Sequence, residues 1–176
     1  MRVVRGRAET PDADREATAA MLSATADAGT ARVRVRAPHR QVAFGRRDAR
    51  EEGFDAARAA ALDRGYEPVE RSVGGRAVAY TGETLAFAVA VPLADMRTGL
   101  DERYATATET LLESLSGLGA AVARGEPAAS FCPGDHSVRV ANGGKVAGLA
   151  QRVQKGAALV SGCLVVAASD EAAIAD

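Results

Sequence analysis

A nearly continuous apolar run near the end of the chain, residues 157–168, restricts the fold more than any other feature. A short run of this kind is typical of a strand that is central in a sheet or part of a hairpin. A second segment, residues 69–91, carries further β-prone stretches around Gly74-Gly75 and ends in the sequence TLAFAVAV. Together these segments predict a buried central sheet.

Helix signals are grouped between the strand signals. Caps, helix-stopping glycines and apolar residues at helical spacing predict three helices. They cover residues 11–28 behind Thr10-Pro11, a segment from Asp48 to Gly65 that opens with a capping-box-like sequence, and a segment from Tyr104 to Leu118. Shorter strands are predicted near residues 1–7, 32–36, 41–45 and 138–140. This grouping, without a regular βαβ repeat, predicts an α+β domain with helices packed on a mostly antiparallel sheet.

The predicted strand at residues 32–36 has the sequence RVRVR. Its strict period of two places Val33 and Val35 on one face and three arginines on the other. We expect the valines to be buried and the arginines to form a solvated face.

The chain has the size of a single domain, residues 1–176. With 47% hydrophobic residues it can bury a sizeable core, and a second full domain is not expected. The net charge of −1 supplies no overall field for nucleic acid or an anionic membrane, and no window resembles a signal peptide or a transmembrane helix. We therefore expect a cytoplasmic protein with two free thiols. A cap-like sequence at residues 169–172 opens a helix just before the chain stops, which indicates a frayed tail or a longer natural chain.

Lysine is nearly absent from this chain. Lys145 and Lys155 are the two lysines among 22 basic residues, and the rest are arginine. An ammonium is a compact point charge on a flexible stem, whereas a guanidinium is a planar fork that stays charged. Because Lys145 directly follows Gly143-Gly144, it indicates a site that needs an ammonium. An arginine-biased composition that leaves two lysines over is an equally ordinary explanation.

Two arginines, Arg71 and Arg76, flank the glycine pair in the sequence RSVGGRAV, residues 71–78. Paired glycines let backbone amides approach a ligand, and arginines attract its carboxylate or phosphate. A hairpin turn with two surface arginines explains the same pattern. Neither the P-loop lysine pattern nor a GxGxxG sequence opening a helix is present, so the standard nucleotide-binding loops are not supported.

Cys132 stands in the sequence FCPGDH, close to Asp135 and His136. A nearby imidazolium stabilises a thiolate, so Cys132 is a candidate nucleophile. The alternative is an ordinary loop cysteine. The cysteines and histidines of the chain are too scattered to predict a metal site.

Four segments occur in an order that resembles the lipoate-protein ligase A family, within the wider biotin and lipoate protein ligase and octanoyltransferase superfamily. The segment PHRQVAFGR, residues 38–46, is similar to an early strand that ends in a glycine beside the ligand pocket, here Gly45. RSVGGRAV resembles the loop that wraps the acyl chain and the acyl-adenylate. GKVAGLAQR, residues 144–152, is similar to the family segment GKKxxGxAQ, and AALVSGCLVV to the strand that follows it.

The resemblance implies a fold, a central mixed sheet flanked by helices as in the catalytic domain of class II synthetases. It also implies a reaction that uses ATP and Mg²⁺ to convert lipoate or octanoate to an acyl-AMP. The acyl group then passes to a lysine of a lipoyl domain, in a 2-oxoacid dehydrogenase complex or the glycine cleavage H protein. Lys145 would stabilise the activated carboxyl. The residues implied to bind the substrate or adenylate are Gly45, Arg71, Gly74, Gly75, Arg76, Ala77, Gly148 and Gln151.

The chain departs from the family pattern at several points. Ala79-Tyr80-Thr81 replaces a usual His-Asp pair, and Ser161-Gly162 replaces a His-Gly pair. The accessory C-terminal domain of the larger ligases is missing, which suggests a separate accessory subunit. Some relatives pass the acyl group through a cysteine just before the lysine segment, so the alternative is an ATP-independent octanoyltransferase or amidotransferase with a thioester on Cys132. A second alternative is a non-catalytic protein that binds lipoyl domains or acyl groups.

Overall fold

The computed structural model describes residues 1–71, 76–128, 130 and 132–167. The α-helices in this part are α1 (Pro11–Ala28), α2 (Phe54–Asp63) and α3 (Leu100–Gly117). The strands are β1 (Arg2–Val4), β2 (Arg32–Arg36), β3 (Gln41–Phe44), β4 (Glu67–Glu70), β5 (Val78–Tyr80), β6 (Thr84–Pro92), β7 (Val122–Arg124), β8 (Ser137–Val140), β9 (Lys145–Gln154) and β10 (Ala157–Val165). No helix within the described ranges has both the length and the apolar character needed to cross a membrane.

The strands form two sheets. Seven of them are ordered β1-β2-β6-β10-β9-β8-β7, and the other three are ordered β4-β3-β5. In the large sheet only the edge pair β1 and β2 is parallel, among the described strands. The prediction of an α+β fold with a mostly antiparallel central sheet is therefore confirmed.

Strand β10 lies at the centre of the large sheet, antiparallel to both β6 and β9. Ala157 and Ala158 are fully buried and Val160 is nearly so. Because a central strand has neighbours on both edges and packing on both faces, its sequence is apolar without alternation. The predicted apolar run is confirmed as a central strand, although it ends at Val165, and residue 168 lies outside the described ranges.

Helix α1 begins and ends where the sequence predicts. Thr10 Oγ1 accepts a hydrogen bond from the Ala13 amide at 3.2 Å, and Gly29 closes the helix in the left-handed conformation with φ of 60°. Met21 and Leu22 pack into a core whose other buried members are Ala88, Ala90, Ala157 and Leu159. The small alanine side chains of the sheet let the helix approach closely, which places the main core between α1 and strands β6 and β10.

The arginine face of β2 is buried, so the prediction of a solvated face was wrong. Arg34 is 2% exposed, whereas Val35 is 54% exposed. Arg34 donates to Asp14 Oδ1 at 2.5 Å, and Arg36 pairs with the other oxygen of the same carboxylate. Asp14 lies on α1, and its negative charge compensates for the desolvation of the guanidinium groups. Period-two patterning alone could not reveal this countercharge.

The second helix starts later than predicted. Asp48–Arg50 form a separate 3-10 turn, and α2 begins at Phe54 without a side-chain cap. The Asp48 carboxylate instead accepts a hydrogen bond from the Gly45 amide at 2.8 Å. The rings of Phe44 and Phe54 pack edge to face, with centroids 5.2 Å apart. This contact fixes α2 against the small sheet.

In the small sheet, the strands that precede and follow the glycine pair are not neighbours. Strand β4 is parallel to β3, and β5 is antiparallel to the other edge of β3. Since β3 lies between β4 and β5, these two described strands do not pair with each other. The hairpin turn at the glycine pair stays a prediction. Gly74 and Gly75 themselves lie outside the described residues.

Candidate active site

Lys145 is the first residue of β9, and its ammonium contacts the segment between β7 and β8. Nζ donates a hydrogen bond to the main-chain oxygen of Cys132 at 2.7 Å. It also lies 3.1 Å from Oε2 and 3.4 Å from Oε1 of Glu126. These acceptors match the donor capacity of an ammonium, which carries three protons. The unusual lysine of this chain therefore lies beside the candidate nucleophile.

Gly148 provides the space that the lysine stem occupies. A Cβ atom at this position would lie 3.0 Å from Lys145 Cε and 3.4 Å from Nζ. The two positions are three residues apart in sequence along β9, where a bulge opposite Val138 and Arg139 disturbs the register with β8. The spacing of lysine and glycine in GKVAG thus has a steric reason, because a side chain at Gly148 would displace the ammonium.

The thiol of Cys132 lies next to the segment that follows the glycine pair. Its Sγ accepts a hydrogen bond from the main-chain amide of Arg76 at 3.4 Å. Cys132 is therefore held between Arg76 on one side and Lys145 on the other.

Three of the residues predicted to bind ligand are linked around Asp48. Its Oδ2 accepts from the Gly45 amide at 2.8 Å, and its Oδ1 lies 3.9 Å from Arg76 Nε. The Arg71 guanidinium donates to the main-chain oxygen of Arg76. The Nε atom of Arg71 is buried and has no protein partner in the described residues. Ala77 is half-buried directly before β5, so this corner brings together Gly45, Arg71, Arg76 and Ala77 of the predicted binding residues.

Gln151 belongs to a different part of the structure. Because it lies three residues beyond Gly148 on the same strand, it points to the opposite face of the sheet. Its Oε1 accepts from Arg103 Nε at 2.5 Å, and its Nε2 donates to the Leu100 main-chain oxygen at 3.2 Å. The structure thus places Gln151 against α3 and away from the Lys145 ammonium.

His136 also faces α3. Its ring stacks on Tyr104 with 3.5 Å between centroids and 9° between planes. The cation that contacts the Cys132 residue is consequently Lys145, and the sequence proximity of His136 to Cys132 does not translate into a ring placed on the thiol.

Glu126 is a site residue that the sequence analysis missed. Burial alone would raise the pKa of Glu126, but hydrogen bonds from Ser130, Ser137 and Lys145, with the charge of Lys145, hold that pKa at about 2. It is therefore an anion at neutral pH. No motif or spacing marks it, since only the pairing of β7 with β8 brings it next to Lys145.

A neutral group of half-buried side chains lies on the far side of Gly148. Cys163 faces Gly148 across the ladder between β9 and β10. Burial raises the pKa of the Cys163 thiol to about 11, against opposing effects of Thr84 and Arg36. Burial likewise raises the pKa of Tyr80 to about 12, with Cys163 adding to the rise. Both groups are uncharged at neutral pH, and Tyr80 stands where the family resemblance anticipates a His-Asp pair.

The charges near this neutral group are cationic. Arg71 and Arg36 both lower the pKa of Tyr80, which shows that their guanidinium groups act on the same region. No group of three or more His, Cys, Asp and Glu side chains is gathered anywhere in the ranges that the structure describes. The arrangement offers a thiol, an ammonium, two arginines and neutral walls, which suits an activated acyl group.

Comparisons with known proteins relate this chain to a family. A family model described as the lipoyl protein ligase A/B catalytic domain matches residues 17–174. An octanoyl-[GcvH]:protein N-octanoyltransferase of Kyrpidia tusciae is 38% identical over 89 residues, which are 51% of this chain and 30% of that protein. The chain therefore spans less than a third of the length of this curated relative.

Solved structures share the fold. Lipoate-protein ligase A bound with ATP has a TM-score of 0.73 at 23% identity, covering 97% of this chain and 68% of that one. Protein Ta0514 of T. acidophilum with bound lipoic acid has a TM-score of 0.73 at 22% identity, covering 97% and 69%. A bipartite lipoate protein ligase from Thermoplasma acidophilum has a TM-score of 0.68 at 23% identity, covering 93% and 60%. With a family model that spans nearly the whole sequence and a fold shared with these ligases, the chain belongs to the lipoyl protein ligase A/B catalytic-domain family.

Proposed function

We propose that this chain transfers an octanoyl or lipoyl group to a lysine of a lipoyl domain through a thioester on Cys132. The observation that carries the proposal is the position of Cys132 between the Arg76 amide at 3.4 Å from Sγ and the Lys145 ammonium at 2.7 Å from its main-chain oxygen. The similarity to an octanoyl-[GcvH]:protein N-octanoyltransferase supports the same reaction class.

The first step forms the thioester. The Cys132 sulfur attacks the acyl carbonyl of the donor, a C–S bond forms, and the bond from the acyl carbon to the donor's nitrogen or sulfur breaks. The thiol proton leaves with the donor's released amine or thiol. Negative charge develops on the carbonyl oxygen during the attack. The Lys145 ammonium stabilises it through its positive charge, since its protons already have acceptors in Glu126 and Cys132.

The second step forms the product amide. The neutral amine of the acceptor lysine attacks the thioester, a C–N bond forms, and the C–S bond breaks. The proton that the amine loses returns to the Cys132 thiolate, so the enzyme is restored without ATP. Lipoyl domains of the glycine cleavage H protein and of 2-oxoacid dehydrogenase complexes are the proposed partners, and the neutral Tyr80 and Cys163 side chains suit an aliphatic acyl chain.

ATP-dependent ligation is the second candidate. The buried Arg71 Nε without a protein partner in the described residues favours it, because an adenylate phosphate or a carboxylate would satisfy that donor. ATP would activate the carboxyl as an acyl-AMP, and Arg71 and Lys145 would hold the anionic groups. Mg²⁺ and a separate accessory subunit remain predictions of this candidate.

Two parallel assays separate the candidates. Purified protein is incubated with an apo lipoyl domain and an octanoylated donor without nucleotide, or with lipoate, ATP and Mg²⁺, and the lipoyl domain is weighed by intact mass spectrometry. We expect transfer without nucleotide, a hydroxylamine-sensitive adduct on the peptide that contains Cys132, and loss of both in Cys132→Ser. Modification that needs ATP and survives Cys132→Ser would establish the ligase instead, and binding without modification would establish a non-catalytic protein.

A further inference from the structure

Glu126 lies in the connection between β7 and β8, the segment that also carries Cys132. It contacts residues on both sides of Cys132 and a residue of β9. Its Oε2 accepts hydrogen bonds from the Gly134 amide at 3.1 Å and from Ser137 Oγ. The same carboxylate binds Lys145 Nζ, which in turn donates to the Cys132 main-chain oxygen. One anion therefore connects the start of this segment, the residues after Cys132, and the first residue of β9.

The geometry of the ammonium shows what the carboxylate contributes. Two Glu126 oxygens lie 3.1 and 3.4 Å from Lys145 Nζ, on one side of the ammonium. The remaining donor is directed to Cys132 at 2.7 Å. A lysine stem is flexible, so a free ammonium would sample many orientations. Glu126 holds it in the orientation that contacts the main-chain oxygen of Cys132.

Partial burial makes this pair stronger than a surface ion pair. The side chains of Lys145 and Glu126 are 23% and 22% exposed. The carboxylate also has donors other than Lys145, so its charge is compensated by a network rather than by one partner. Such a network holds its side chains in one geometry. An exposed ion pair does so less well, because solvent screens its attraction and the loss of side-chain entropy offsets it.

We propose that Glu126 is a positioning residue, whose carboxylate holds the Lys145 ammonium and the Cys132 segment together for attack on the acyl carbonyl. The proposal rests on the proposed thioester function. Glu126 touches no reacting atom in this mechanism and acts through Lys145. A purely structural role would be limited to holding the segment through Gly134 and Ser137.

Two variants separate positioning from loop structure. Glu126→Gln keeps the size of the side chain and an acceptor oxygen for Gly134 and Ser137, but it removes the charge that binds Lys145. Ser137→Ala is the matched control, because it removes one contact to the carboxylate and leaves the ion pair in place. Acylation of Cys132 by an octanoylated lipoyl domain is followed in single-turnover reactions by intact mass, over a range of donor concentrations.

We expect Glu126→Gln to lower the limiting acylation rate roughly 10- to 100-fold, the effect of losing a charge-assisted hydrogen bond, at an unchanged half-saturating donor concentration. Ser137→Ala should stay within about threefold of the wild-type rate. Equal losses in the two variants, or a change in half-saturation alone, would overturn the positioning role.

A replacement variant and the result for the wild-type protein complete the test. If Glu126→Gln unfolds below the assay temperature, Glu126→Asp replaces it, since it keeps the charge but shortens the reach by one methylene. The same fall in limiting rate is expected, and a wild-type rate would refute the proposal. Failure of the wild-type protein to acquire any acyl group on Cys132 contradicts the proposed function itself, whereas normal acylation of Glu126→Gln contradicts only the role of Glu126.

Discussion

The ammonium of Lys145 lies 2.7 Å from the main-chain oxygen of Cys132, and this contact joins a segment before β8 to the first residue of β9. Strands β8 and β9 pair antiparallel, with Ser137 opposite Gly148 and Arg139 opposite Lys145. This hairpin places the segment before β8, which carries Cys132, near Lys145. The thiol and the cation of the candidate site thus lie on neighbouring parts of the large sheet, the connection before β8 and the start of β9.

Replacing Lys145 tests the electrostatic role. Lys145→Met keeps an apolar stem and removes the cation, so acyl transfer should fall by roughly 100- to 1,000-fold, as expected when a group that stabilises a developing oxyanion is lost. The yield of modified lipoyl domain, measured by mass spectrometry, checks this. Lys155→Met is the control, because Lys155 is exposed in the turn between β9 and β10, and its activity should match the wild type. Equal activity of both variants would exclude a role for the ammonium.

The buried carboxylate on α1 should be important for stability. Asp14→Asn removes the charge that compensates Arg34 and Arg36, and we expect the free energy of unfolding to fall by about 3–5 kcal/mol. Urea denaturation followed by circular dichroism measures this change. Asp12→Asn is the matched control, since Asp12 pairs with Arg15 at 2.7 Å on the exposed side of the same helix and should change stability by less than about 1 kcal/mol. Similar losses in both variants would contradict the assigned burial.

Gly162 is constrained by its neighbours in the sheet. A Cβ atom there would lie 2.5 Å from the Gly148 main-chain oxygen and 2.5 Å from Phe87 Cζ. Gly162→Ala should therefore destabilise the protein by about 1–3 kcal/mol, because backbone must move to relieve the overlap. Gly117→Ala is the comparison, since nothing lies within 4 Å of its added Cβ at the end of α3. Thermal unfolding of the two variants checks the difference, and an unchanged midpoint for Gly162→Ala would show that the strand relaxes freely.

Acid should weaken the fold partly through Glu126. The pKa of this carboxyl is lowered from 4.5 to about 2 in the folded protein. A lowered folded pKa contributes stability that is complete above the unfolded value and is lost as pH falls from about 4.5 toward 2. Stability curves between pH 2 and 6 should be flatter for Glu126→Gln than for wild type. Glu113→Gln on exposed α3 should retain the wild-type slope, and parallel curves for all three proteins would refute this account.

Local sequence predicted the elements whose determinants are local. The Thr10 cap and the Gly29 stop set the bounds of α1, and the apolar run after Gly156 predicted β10. The second helix was misplaced because the Asp48 carboxylate accepts a hydrogen bond from the Gly45 amide and does not cap a helix. Strand β9 was not predicted, since its mixture of polar and apolar residues reflects two faces with different neighbours.

By itself the sequence determined the α+β class, the central strand and the family, because these depend on periodicity, caps and ordered motifs, and it predicted a role for Lys145. Only the tertiary structure decided that the arginines of β2 are buried, that Gln151 and His136 face α3, and that Glu126 holds the lysine. Each of these placements depends on a partner that is distant in sequence. Arg34 pairs with Asp14, and Lys145 pairs with Glu126 after β7. Electrostatic and hydrogen-bond partners act through space, so their effects appear only when the chain has brought them together.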